Sequence, residues 1–207
     1  MLHQRQQTLP ASERDYVEWH RGRTTYGLWL VELETEEISK KVQAARKHLA
    51  DFLLKPYHRQ PHISIFICGF LTEALSFDDD YTTEQLHVHA ELLNNADIKP
   101  FAIEVGRLNS FASAPFLEVQ DLNKGIERVR AVLSTTATEI GRSSFTPHVT
   151  IGLYSRAFQS RIVTGKISIF QSKPVRLVVE RLTFATYKAR EIAGALAKKH
   201  SVALRSG

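Results

Sequence analysis

The chain of 207 residues contains a single cysteine, Cys68, so it cannot form an intrachain disulfide. It has no apolar run of the roughly eighteen residues that a membrane-spanning helix needs. Its opening stretch, MLHQRQQTLPASERDY, lacks the apolar segment that follows the basic residues of a secretory leader. These absences together predict a cytoplasmic, disulfide-free protein with no membrane association. No metal-ligand spacing stands out among the nine histidines. His87 and His89 are two apart on a predicted helix and so point in different directions. Asp78, Asp79 and Asp80 fit no calcium-loop pattern and read as a solvated turn. No metal and no cofactor are expected. A dense block of lysine and arginine is also missing. The 27 Lys and Arg nevertheless exceed the 22 Asp and Glu, and the net charge of +5 favours an anionic partner such as a phosphorylated ligand or RNA.

What is present is an alternation of strands and amphipathic helices. Tyr26 to Leu33 reads as a strand. Thr35 caps a helix whose Ile38, Val42, Ala45, Leu49 and Phe52 fall on one face. Pro61 to Phe70 is a strand, and Thr82 with Gln85 forms a capping box for the next helix. A strand pair is predicted at Phe101–Leu108 and Pro115–Val119. A second long helix is predicted over Leu122–Ile140, then a strand over Thr146–Tyr154. A short helix over Ala157–Val163 and a long strand over Val175–Tyr187 follow. The pattern divides the chain into an arm (1–23, partly ordered), one domain of two lobes (24–190) and a tail (191–207) that reads as helical. A long helix precedes each half's central strand, which suggests an imperfect duplication and an α+β fold.

The duplication is visible in one phrase. Pro61-His62-Ile63-Ser64-Ile65 returns as Pro147-His148-Val149-Thr150-Ile151. Side chains alternate between the faces of a strand. Ile63, Ile65 and Ile67 therefore point to a core, with His62, Ser64 and Phe66 opposite. Likewise Val149, Ile151 and Leu153 are inward, with His148, Thr150 and Gly152 opposite, where the glycine leaves room for a ligand. Packing accounts for the apolar positions but not for a histidine and a hydroxyl on the other face of both copies. Across a pseudo-two-fold cleft, two imidazoles suit phosphodiester cleavage, one as base and one as acid. The reference pKa of ~6.5 lets both protonation states exist near neutral pH. Ser64 and Thr150 can donate to the non-bridging oxygens. Phe66 and Tyr154, in phase with the histidines, and Tyr26 are candidates to stack a base. Arg59, beside His58 at the cleft mouth, is a candidate phosphate contact.

The paired H-x-[ST] phrase resembles the signature of the two-histidine (2H) phosphoesterases, which include the RNA 2′,3′-cyclic phosphodiesterases also called 2′-5′ RNA ligases. The likeness runs from about Tyr26 to Tyr187. It departs at Leu153, where many bacterial members carry an arginine. The resemblance implies a bilobal pseudo-two-fold α+β fold, with antiparallel sheets lining a central cleft and helices outside. It implies catalytic roles for His62, Ser64, His148 and Thr150, with His62 as acid and His148 as base. The implied substrate is an RNA end or a nucleotide carrying a 2′,3′-cyclic phosphate, opened to a 2′-phosphate. A 2′-5′ phosphodiesterase or ligase, an enzyme trimming RNA 3′ ends, and a non-catalytic RNA- or nucleotide-binding module are the alternatives.

Overall fold

The computed structural model describes residues 1–141 and 144–205, the His3 side chain excepted. Two antiparallel sheets carry the fold. The first strand, β1 (Thr25–Glu32), leads through helix α2 (Glu36–His48) to β2 (His62–Thr72) and the short β3 (Asp80–Thr82). Helix α3 (Thr83–Asn95) then crosses to β4 (Phe101–Ser110) and β5 (Pro115–Asp121). Helix α4 (Gly125–Leu133), β6 (His148–Thr150), α5 (Ser160–Ser168) and β7 (Val175–Val179) complete the second half. The chain returns to the first half as β8 (Arg181–Lys188) and β9 (Ala197–Ala203), while a single turn, α1 (Val17–His20), precedes β1. One sheet has the order β3-β2-β1-β8-β9, the other β6-β5-β4-β7. Among the described strands only β3 runs parallel to its neighbour, β2. No helix among the described residues is long and apolar enough to cross a membrane.

Local chemistry sets the helix starts as expected. The Thr35 hydroxyl accepts from the Ile38 amide, and Thr82 with Gln85 closes a reciprocal capping box. Glu36 and Glu37 occupy the first turn of α2 and Arg46, Lys47 and His48 its last, the arrangement the helix dipole favours. Both sheets and their helices bury one continuous core, with Ile38, Val42, Ile63 and Ile65 from one half and Ile103, Leu117, Val129 and Val149 from the other.

Several expected elements take a different form. The helix expected over Leu122–Ile140 is shorter. Asp121 caps it late, accepting from the Gly125 and Glu127 amides at 2.8 and 3.2 Å. It stops at Leu133 because the Ser134–Thr138 run brings hydroxyls that bond the backbone themselves, as Thr135 does to the Val132 carbonyl at 2.7 Å. The following residues cross to β2 instead. The strand expected over Val175–Tyr187 breaks at Glu180, because its two parts belong to different sheets, β7 beside β4 and β8 beside β1. Beyond Thr150 the chain leaves the ladder, and α5 begins at Ser160 rather than at Ala157. The tail is not helical, since Ala197–Ala203 adds an edge strand to β8. Asp79 and Asp80 are not a solvated turn, since both bind the Arg23 guanidinium.

At Gly125 a Cβ would stand 1.9 Å from the Phe101 ring. Gly125→Ala should therefore destabilise the protein by about 1–3 kcal/mol through overpacking. A urea midpoint equal to that of the wild type would show that this packing does not constrain the fold.

Candidate active site

His62 opens β2 and His148 opens β6, so the two phrases lie in different sheets. They meet at one cleft of about 550 Å³, lined by His62, Ser64, His148, Thr150, Arg59 and Tyr187 among others. The histidines are held alike. His62 Nδ1 donates to the Gln60 carbonyl at 2.8 Å, and His148 Nδ1 donates to the Thr146 carbonyl at 2.7 Å. A carbonyl only accepts, so Nδ1 carries the proton in both neutral rings and Nε2 is left basic. Phe111 and Phe116 stand edge-on to His148, at 4.9 and 5.4 Å between ring centres.

Burial dominates the electrostatics of His62. His62 is only 8% exposed. Burial pushes its pKa down to about 4, the bond to Gln60 opposes this, and the positive charges of Arg59 and His148 add to the lowering. Among the described residues, Arg59 is the one permanently charged residue lining the cleft, and no carboxylate lines it. Among the described residues no group of three His, Cys, Asp or Glu could hold a metal ion.

Two half-buried guanidinium groups align the phrases. Arg46 on α2 donates to the Ile151 carbonyl at 2.9 Å and to the Arg59 carbonyl at 3.2 Å, and lies over the Tyr57 ring. Arg130 on α4 donates to the Ile65 carbonyl and, at 2.6 Å, to Glu139, and lies over the Phe145 ring. Ile65 and Ile151 each follow their histidine by three residues. Each arginine thus stacks on the aromatic leading into its own phrase and bonds the other phrase's backbone. The signal was available in the sequence, since each arginine sits in the helix preceding one copy.

The expected base-stacking residues fall differently. Phe66 is buried in the core, edge-on to His89 at 5.6 Å. The ladder pairs Leu30 with Ser64 but Trp29 with Phe66, leaving Ile65 unmatched. This bulge reverses the alternation, so Ile65 and Phe66 both enter the core and Ile67 lines the cleft. Tyr154 is also fully buried, its hydroxyl 2.6 Å from Ser110 Oγ. Tyr26 is buried among Trp19, Phe70 and Tyr187. The space at Gly152 is taken by the Leu53 side chain, which a Cβ would meet at 3.2 Å, and not by the cleft. Tyr57, Phe111 and Tyr187 line the cleft in their place. Neither the repeat nor the strand parity singles these three out.

A family model described as the 2′-5′ RNA ligase superfamily matches residues 35–191. Escherichia coli LigT complexed with 3′-AMP is similar in structure, with a TM-score of 0.58 at 15% identity, covering 89% of this chain and 100% of LigT. LigT complexed with NADP+ gives 0.56 at 13% identity, covering 87% of this chain and 98% of LigT. TT0787 of Thermus thermophilus gives 0.54 at 15% identity, covering 87% and 98%. A comparison with curated proteins found no match.

The lowered pKa of His62 makes stability depend on pH. The folded ring protonates near pH 4 and an unfolded one near 6.5, so the unfolded chain binds more protons between these values. Stability should fall as the pH drops through that window, by about 3 kcal/mol from this residue. His89, also lowered to about 4 by burial, adds to the same trend. Urea unfolding of wild type and His62→Gln at pH 7 and pH 4.5 isolates the first contribution. An identical loss in both proteins would show that His62 does not carry it.

Proposed function

Because the chain belongs to the 2′-5′ RNA ligase superfamily, we propose that its cleft hydrolyses a 2′,3′-cyclic phosphate at an RNA end or on a nucleotide, without a metal, to leave a 2′-phosphate. One observation carries the reading: two imidazoles line one cleft, each held through Nδ1 so that Nε2 is the working atom. A nucleotide ligand is further supported by LigT, which has been solved with 3′-AMP and with ATP.

In the proposed reaction His148 Nε2 takes a proton from water as the water oxygen bonds to phosphorus. The bond from phosphorus to the ribose 3′ oxygen breaks, and His62 Nε2 gives that oxygen its proton. Ser64 and Thr150 donate to the non-bridging oxygens, where negative charge accumulates. Afterwards His148 holds one extra proton and His62 lacks one, and exchange with solvent restores both.

The acid role asks something specific of His62, whose lowered pKa leaves it neutral at pH 7. A bound phosphate opposes the charges of Arg59 and His148, so His62 takes up its proton as substrate binds. Calorimetry at pH 7 in buffers of different ionisation enthalpy should register uptake of nearly one proton on binding adenosine 3′-phosphate. In the pH profiles the His62 limb should lie lower in kcat/KM, which reports the free protein, than in kcat, which reports the complex. Zero uptake, with kcat/KM rising through pH 4–5, would make His62 the base and exchange the two roles.

Turnover of adenosine 2′,3′-cyclic phosphate in EDTA tests the reaction itself. His62→Ala and His148→Ala should each lose on the order of 10²–10⁴-fold. Ser64→Ala and Thr150→Ala should lose less. The double histidine variant should be little worse than either single one, since the pair acts as a unit. Full activity in His148→Ala, or activity that vanishes on chelation and returns with zinc or manganese, refutes the mechanism.

A further inference from the structure

The amino-terminal arm lies outside residues 35–191, the span shared with the family, yet it is built into the fold. Its first part laces onto the second half. The Thr8 amide donates to the Phe158 carbonyl, Leu9 to Ala112 and Ala11 to Tyr154, at 2.7–2.9 Å. Its later part docks on the first half. Arg23 reaches Asp79 and Asp80 at 2.5 Å, donates to the carbonyls of Trp19 and His20, and lies over the Phe70 ring at 3.8 Å. His20, buried, donates through Nε2 to Asp15 and accepts from the Gly22 amide through Nδ1. Trp19 rests on Tyr26 and Phe70, at 5.0 and 4.8 Å between ring centres. The arm is thus a strap fastened to both halves.

Beneath the strap lies a second cavity of about 500 Å³, walled by Pro10, Ala11, Tyr16 and Trp19 on one side and by Leu153 and Tyr187 on the other. It shares Arg59, Ser113, Leu153, Tyr187 and Ile192 with the catalytic cleft, so the two compartments adjoin. Its wall is largely apolar and aromatic and, among the described residues, includes no carboxylate. At the junction stands Arg59. Its Nε donates to the Gly194 carbonyl at 3.2 Å and its guanidinium lies over the Tyr187 ring at 4.0 Å. Its Nη2 is buried with no hydrogen-bond partner among the described residues. A buried guanidinium N–H left without an acceptor is costly unless a ligand supplies one.

We propose that this strap-walled compartment seats the penultimate nucleotide of an RNA 3′ end, its base against Trp19, Tyr16 and Tyr187 and its bridging phosphate on Arg59. The inference rests on the proposed function only in placing the terminal phosphate between His62 and His148. Chemistry selects the occupant. Flat apolar walls with aromatic rings accept a base face irrespective of its sequence, and the Arg59 guanidinium between the compartments, its Nη2 without an acceptor among the described residues, calls for a second anion beyond the catalytic one. A mononucleotide with a single phosphate fills one compartment and leaves Arg59 unsatisfied. The favoured substrate class is therefore an oligonucleotide of two or more residues.

Two probe pairs test this separately from catalysis. The first pair is the 2′,3′-cyclic phosphates of adenosine and of adenylyl-adenosine, compared by kcat/KM. The second is adenosine 3′-phosphate and adenylyl-adenosine 3′-phosphate, compared by binding to His62→Ala/His148→Ala, which needs no turnover. The dinucleotide should be preferred by roughly 10-fold or more in both comparisons, as stacking one base allows. Trp19→Ala, Tyr16→Ala and Arg59→Lys should each shrink that preference. Tyr16→Ala and Arg59→Lys keep the test decisive if Trp19→Ala fails to fold. Equal affinity for both binding probes overturns the subsite even if cyclic phosphates are hydrolysed, and so does a preference that survives all three variants. Preferred dinucleotide binding without turnover of either cyclic phosphate leaves the subsite standing and defeats the proposed reaction.

Discussion

Two crossed guanidinium groups hold the site together. Arg46 and Arg130 each sit on the helix of one half, stack on the aromatic that leads into their own histidine phrase, and bond a carbonyl of the other half's phrase. Without such ties, the separation of the histidines would depend on packing between two sheets that share no strand. Desolvation lowers the pKa of Arg46, and Arg130 is paired with Glu139, itself nearly buried. Hydrogen bonds from charged donors at such depth are strong and directional. They fix the cross-cleft geometry more tightly than apolar contact would, because dispersion has little directionality.

The same crossing explains an irregularity of β2. A strand paired in strict alternation offers its carbonyls to its neighbours. The bulge at Ile65 takes that residue out of the ladder, and Arg130 takes its carbonyl. Glu139, held by Arg130, accepts from the Ile67 amide just beyond, and Ile67 accepts from Ile140. The bulge therefore joins the first phrase to the segment leading into the second, and it turns Ile67 rather than Phe66 toward the cleft.

The cleft combines burial with one sign of charge. Among the described residues Arg59 lines it and no carboxylate does, and His62 is so far withdrawn from water that its charged form is disfavoured. Such a place is unfavourable for a proton until an anion arrives, so any anion entering it favours protonation of His62. The same guanidinium faces the compartment beneath the amino-terminal strap, so Arg59 lines both spaces.

How much of this was legible beforehand follows from the range of each interaction. The two histidine phrases, the hydroxyl two residues after each histidine, the capped starts of α2 and α3 and the α+β class are short-range patterns. A single sequence determines them because period and capping depend on neighbours along the chain. The fate of Phe66, Tyr154 and Tyr26 was decided elsewhere, by a bulge, by a hydroxyl partner at Ser110 and by the docked Trp19. The end of α4 and the break at Glu180 were likewise set by which sheet the chain had to reach next. The strap shows the contrast most plainly. Residues 1–23 carry no periodicity, so the sequence predicted only a partly ordered arm, yet Arg23 finds Asp79 and Asp80 more than fifty positions away. Pairing at that separation leaves no periodic trace in the sequence, and only the folded chain brings the partners within reach.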